Sequence, residues 1–134
     1  MQGKTLNIIL WAAQILLALA FGFFGYMKAT GPLDELSKMM GWIPSVSPIF
    51  VRSLGTLEIL GAIGLILPSL LRIQPRLTSV AASCFVLLQL CAIALHAYRG
   101  ETAQTIGLNI VLLGLSLFVF WGRNGKARIA PKAA

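Results

Sequence analysis

The sequence predicts an all-α protein, a transmembrane four-helix bundle with a short amphipathic interfacial helix between helices one and two. Three observations predict it. Of 134 residues, 57% are hydrophobic and only 11% are charged, and the mean hydropathy is +0.85, far from the balance of a soluble domain. A chain of this length buries only about two-thirds of the surface its unfolded form exposes, so the bilayer must act as its solvent. Four apolar runs each approach the roughly twenty residues that cross the hydrocarbon core of a bilayer. The formal charge of +7 does not indicate a nucleic-acid partner, because the basic residues gather at the ends of the apolar runs rather than in one stripe.

Helix one is expected over Leu6–Met27. The opening Met1–Leu19, with Lys4 and a possible cleavage site at Ala18-Leu19-Ala20, resembles a signal peptide. The apolar character continues through FGFFGYM, however, and that length reads as a span. Lys28–Phe50 is the long connection. Gly31-Pro32 sets up a helix start, and Asp34 and Glu35 fall in the first turn, where the macrodipole favours anions. Leu33, Leu36, Met39 and Met40 recur at helical spacing, and Gly41 is a stop signal. This reads as a short helix lying on the bilayer, a connector or a lid over the bundle. Trp42 suits the interface, and an irregular stretch containing Pro44 and Pro48 follows.

Helix two is expected over Ser53–Leu71, with Pro68 near its end where a kink is cheap. Arg72–Arg76 is a linker whose Pro75 fits the first turn of helix three, Leu77–Tyr98. Arg99-Gly100-Glu101 is a tight turn before helix four, Thr102–Trp121. The membrane domain therefore covers residues 1–121, with spans near 6–27, 53–71, 77–98 and 102–121. Residues 122–134 form a basic tail expected to be disordered.

With four spans, both termini share a side. That side carries seven Lys and Arg residues and the other carries four, together with Asp34, Glu35, Glu58 and Glu101. The positive-inside rule then predicts a cell-membrane protein with both termini cytoplasmic. Trp11 and Trp121 would mark the inner interface, and Trp42, Tyr26 and Tyr98 the outer one.

Glu58 is the strongest site signal. An ionisable group within a span costs roughly 2.5–3.5 kcal/mol on insertion scales and normally faces a bundle interior or a wet cavity. Gly55, Gly61 and Ala62 share its helix face, which lets a neighbouring helix come close. The other helices carry polar stripes: Asn7, Gln14 and Lys28 in helix one, Gln89 and His96 in helix three, and Thr102, Thr105, Asn109 and Ser116 in helix four. At 1.5 Å per residue, Glu58 lies about 9 Å below Arg52, and Asn109 about 10 Å below Thr102. A polar pocket in the outer half of the membrane follows, made of Lys28, Glu58, Gln89, His96 and Asn109. Taken singly, Gln14, Ser116 and Gln89 read as interhelical glue, and a packing-only Lys28–Glu58 ion pair is the simpler alternative for the acid. Cys84 and Cys91 are one heptad apart, too far for a disulfide with each other, and the single histidine argues against a metal site.

Several pieces in order along the chain resemble the DoxX-like family of small four-helix membrane proteins. They are GYMKATGP (Gly25–Pro32), GWIP (Gly41–Pro44), LEILGAIGLILP (Leu57–Pro68), His96, and NIVLLGL beginning at Asn109. The resemblance implies a four-helix bundle with Lys28, Glu58, His96 and Asn109 as signature positions. Members of that family include a subunit of a thiosulfate:quinone oxidoreductase and membrane partners of oxidative-stress enzymes, and related animal proteins act as chaperones or cargo receptors. The resulting expectation is a pocket for a small lipophilic molecule, quinone- or lipid-like, in an accessory subunit of a membrane redox system that is not an enzyme on its own. A carboxylate beside a histidine would exchange protons with a quinone head group. The rival expectation is a non-enzymatic membrane chaperone or assembly factor that recognises a partner's transmembrane helix. A small transporter is a third, and it would require a homodimer.

Overall fold

Four long helices dominate the structure, a computed structural model that describes residues 2–100 and 102–132, with side chains over 3–100 and 106–132. They are α1 (Gln2–Thr30), α3 (Pro48–Leu71), α4 (Leu77–Tyr98) and α5 (Thr102–Asn124). Each has the length and hydropathy of a membrane span. Between α1 and α3 lie α2 (Leu33–Met39) and a 3-10 turn (Ile43–Ser45). The expected four-helix membrane bundle with a short extra helix is present.

The four helices close a ring in which α1 and α4 each pack against both α3 and α5. Leu17, Phe21, Leu65, Ala82, Phe85 and Val119 form the buried centre. The rings of Phe21 and Phe85 stack across it, with centroids 3.8 Å apart. Outward-facing positions such as Leu19, Phe23, Leu57, Leu87 and Ile110 are exposed and apolar. Water would penalise such a surface, whereas lipid tails accept it.

The helix boundaries depart from expectation where end chemistry decides them. α3 begins at Pro48 rather than Ser53, because Ser47 caps it. The Ser47 hydroxyl accepts from the Phe50 N–H at 3.2 Å, and Pro48 occupies the first turn, where its missing N–H is harmless. What was expected to be an irregular stretch around Pro48 is therefore helix. Pro68 does not end α3. Its ring removes the N–H that would bond the Gly64 carbonyl, and the Thr78 hydroxyl of α4 donates to that carbonyl instead, at 3.3 Å. Ser69 then donates to the Thr78 oxygen at 2.5 Å.

The far end of the chain is also revised. α5 passes Trp121 and runs to Asn124, with Gly122 and Arg123 buried. Residues 127–132, placed in the tail, are hydrogen-bonded to the bundle rather than free of it. The Ala127 N–H donates to Gly122 O at 2.8 Å, and the Lys132 N–H to Arg72 O at 2.7 Å. Arg72 in turn donates to the Ala130 carbonyl at 2.9 Å.

Candidate functional site

The site begins at a close approach of α1 and α3. Gly25 and Gly55 face each other so tightly that a Cβ on Gly25 would lie 2.7 Å from the Gly55 oxygen and 2.9 Å from the Glu58 Cβ. A Cβ on Gly55 would lie 2.6 Å from the Gly25 oxygen and 2.7 Å from the Lys28 Cβ. Only two glycines allow this contact, and because the two helices run antiparallel it sets Glu58 against Gly25 and Lys28 against Gly55, within reach of each other across the crossing. There Lys28 Nζ donates to Glu58 Oε1 at 2.6 Å. The Glu58 side chain is 2% exposed and that of Lys28 12%. Gly61 continues the same face towards α4, where the Phe85 ring occupies the space a side chain would need.

The ion pair does not fill the space beside it. A cavity of about 790 Å³ lies in the half of the bundle away from the two termini, and Lys28, Glu58, Gln89, His96 and Asn109 all line it. All five residues expected at the site thus meet at one void. Gln89 and Asn109 are buried, and His96 is half-buried. Among the described residues, the Gln89 Oε1 and the Asn109 Nδ2 have no hydrogen-bond partner. Two residues of the cavity wall thus each carry one buried, unpaired polar atom, beside the Lys28–Glu58 pair. The remaining wall is apolar, and exposed Met39, Phe50 and Leu108 at its rim connect it with the lipid-facing surface.

The connecting segment roofs this cavity. Leu36, Trp42, Ile43 and Val51 form a second small core, and Met39, Met40 and Trp42 line the void. Trp42, which the sequence suits to the interface, is 8% exposed, with its ring centroid 5.8 Å from Lys28 Nζ. Arg99 ties the roof down by donating to Ser45 Oγ at 2.9 Å and to Gly41 O at 3.0 Å. Arg52 donates to the Lys28 carbonyl at 3.0 Å, which satisfies an orphan carbonyl at the end of α1.

Not every polar stripe joins the cavity. Gln14 donates to the Leu65 carbonyl at 2.6 Å and accepts from Arg123 Nε at 2.6 Å, so it is glue, as expected. Ser116 bonds back to the Leu112 carbonyl. Arg123 is the polar residue the sequence reading missed, since it was assigned to the tail. It is 3% exposed, donates to Asn7 Oδ1 at 2.7 Å, and lies over the Trp11 ring. Asn7 and Gln14 on one face of α1 were the available signal. Cys84 and Cys91 are both exposed and free, so they do not serve the core packing. The side chains of Thr102 and Thr105, and Glu101, lie outside the described residues. Among the described residues no group of His, Cys, Asp and Glu side chains could hold a metal ion.

Comparison with curated proteins and with solved structures found no match. Comparison with protein families did: residues 12–119 match the DoxX-like family. That range includes α3, α4 and the helix ends that carry Lys28 and Asn109. Together with four membrane-length helices, the match makes this chain a multi-pass integral membrane protein that belongs to the DoxX-like family.

Proposed function

We propose that the cavity receives the polar head of a small lipophilic molecule, quinone- or lipid-like, and that the protein is an accessory subunit of a membrane redox system. One observation carries this reading. Gln89 and Asn109 both line a single cavity, and each has a buried side-chain atom without a partner. A buried polar atom left unpaired costs about 1–3 kcal/mol, and two such residues on one cavity wall support an occupant towards which both amides can turn. An acceptor oxygen of the head group, such as a quinone or ester carbonyl, would accept from Asn109, and a hydroxyl, as in a quinol or a lipid head group, would donate to Gln89. The apolar rim then takes the hydrocarbon tail. Lys28, Glu58 and His96 can hold or pass protons at the head group, and electrons would come from a partner protein.

The test is native mass spectrometry of protein released from mild detergent. Wild type should carry a lipophilic molecule, and Glu58→Ala and Asn109→Leu should carry it at about a tenth of that occupancy or less, the loss expected for one buried hydrogen bond. Equal loading of all three proteins would sink the reading. The assembly-factor alternative, in which the polar seam recognises a partner's helix, would then take its place.

A further inference from the structure

The opposite end of the bundle holds a second cavity of about 540 Å³, lined by Arg76, Arg123 and Arg128 together with Ile129 and Pro131. Arg123 is the informative residue. It is 3% exposed, yet its hydrogen-bond acceptors are all neutral: Gln14 Oε1, Asn7 Oδ1, the Asn7 carbonyl and the Ala127 carbonyl, which leave one N–H for the pocket. Among the described residues, Arg128 donates only to the Asn124 carbonyl, at 3.3 Å. The carboxylates described, Asp34, Glu35 and Glu58, all belong to the other end of the bundle. Among the described residues, then, three guanidinium groups surround one pocket that contains no acid.

A buried cation without a counter-charge is costly, so Arg123 favours an anion by its charge, and the forks of Arg76 and Arg128 can match the oxygens of a phosphate in a bidentate manner. The pocket sits where the α3–α4 turn meets the end of α5, at the boundary between apolar helix and polar loop. Basic pockets between membrane helices at that level suit anionic head groups. We propose that this pocket is a phosphate-binding site, with Arg123 as its buried anchor and Arg76 and Arg128 as its outer arms. A phospholipid head group and a free phosphate share that chemistry.

The test keeps the full chain and spares Arg123, which also holds Asn7 and Gln14. Wild type and Arg76→Gln/Arg128→Gln are reconstituted in nanodiscs of equal parts phosphatidylcholine and phosphatidylglycerol, and the lipids retained after release are counted by native mass spectrometry. Wild type should retain phosphatidylglycerol over phosphatidylcholine, and the double variant should lose about tenfold in that preference while melting at the same temperature. In a second arm, inorganic phosphate is added to detergent-solubilised protein against chloride at equal ionic strength. Thermal protection by phosphate, absent in the double variant, assigns the site to free phosphate; phosphatidylglycerol retention alone assigns it to a lipid. If wild type shows neither selective retention nor protection, or the double variant matches it in both, the proposal is overturned.

Discussion

At the scale of single residues, two buried amides use their polarity in opposite ways. Gln14 has both of its polar atoms satisfied, by Leu65 and Arg123, whereas Asn109 leaves its amide nitrogen without a partner. Truncating a satisfied group strands its partners, while replacing an unsatisfied one by an apolar isostere removes a liability. Gln14→Leu should therefore destabilise the protein by about 3 kcal/mol, because it leaves a buried guanidinium short of an acceptor. Asn109→Leu should leave stability unchanged or raise it. Thermal unfolding of ligand-stripped protein in detergent checks both, and a large loss for Asn109→Leu would mean that its amide is structural. The sequence already put Asn109 in the pocket and Gln14 among the interhelical contacts, but it did not name the partner of Gln14. Gln14 meets its partner Arg123 across 109 positions, and no local pattern reports such a contact. Trp42 shows the same limit: the sequence suits it to the interface, and only its packing with Leu36, Ile43 and Val51 shows that it is buried as well.

At the scale of elements, glycine position decides which helices touch. Gly25 and Gly55 make the α1–α3 crossing, where any Cβ would strike the opposing backbone. Gly107 and Gly114 in α5 face open space, with nothing within 4 Å of an added Cβ. Gly25→Ala and Gly55→Ala should each destabilise the bundle by roughly 2 kcal/mol or more, as overpacking at a rigid contact does. Gly107→Ala and Gly114→Ala should be neutral or stabilising by about 0.5 kcal/mol, through reduced backbone entropy in the unfolded chain. Equal losses at all four positions, read by unfolding in detergent, would refute the crossing as the source of specificity. The spans and the Glu58 face were legible because length, apolarity and a small-residue spacing are local properties. The start of α3 was less so. Ser47-Pro48 is a good cap and first-turn pair, but beside Pro44 it also reads as a broken loop, and only the bond from the Phe50 N–H to Ser47 resolves the two.

At the scale of the whole molecule, charge is divided between the two ends. Lys4, Arg72, Arg76, Arg123, Lys126, Arg128 and Lys132 lie towards the end that carries both termini, and Lys28, Lys38, Arg52 and Arg99 towards the other. The four at the second end are engaged locally: Lys28 by Glu58, Lys38 by Glu35, Arg52 by the Lys28 carbonyl and Arg99 by the roof. The seven at the first end have no described carboxylate near them. Orientation follows the Lys and Arg count in short loops and flanks rather than net charge, and the count points the same way as the pairing. The end bearing the termini should face the cytoplasm, and the roofed cavity the outer leaflet. Reporter fusions following Asn124 and within the α3–α4 turn should both report cytoplasm, while a fusion inserted in the Ser37–Gly41 stretch should report the exterior. A cytoplasmic signal from that last fusion would invert the orientation, and with it the leaflet from which the cavity draws its ligand.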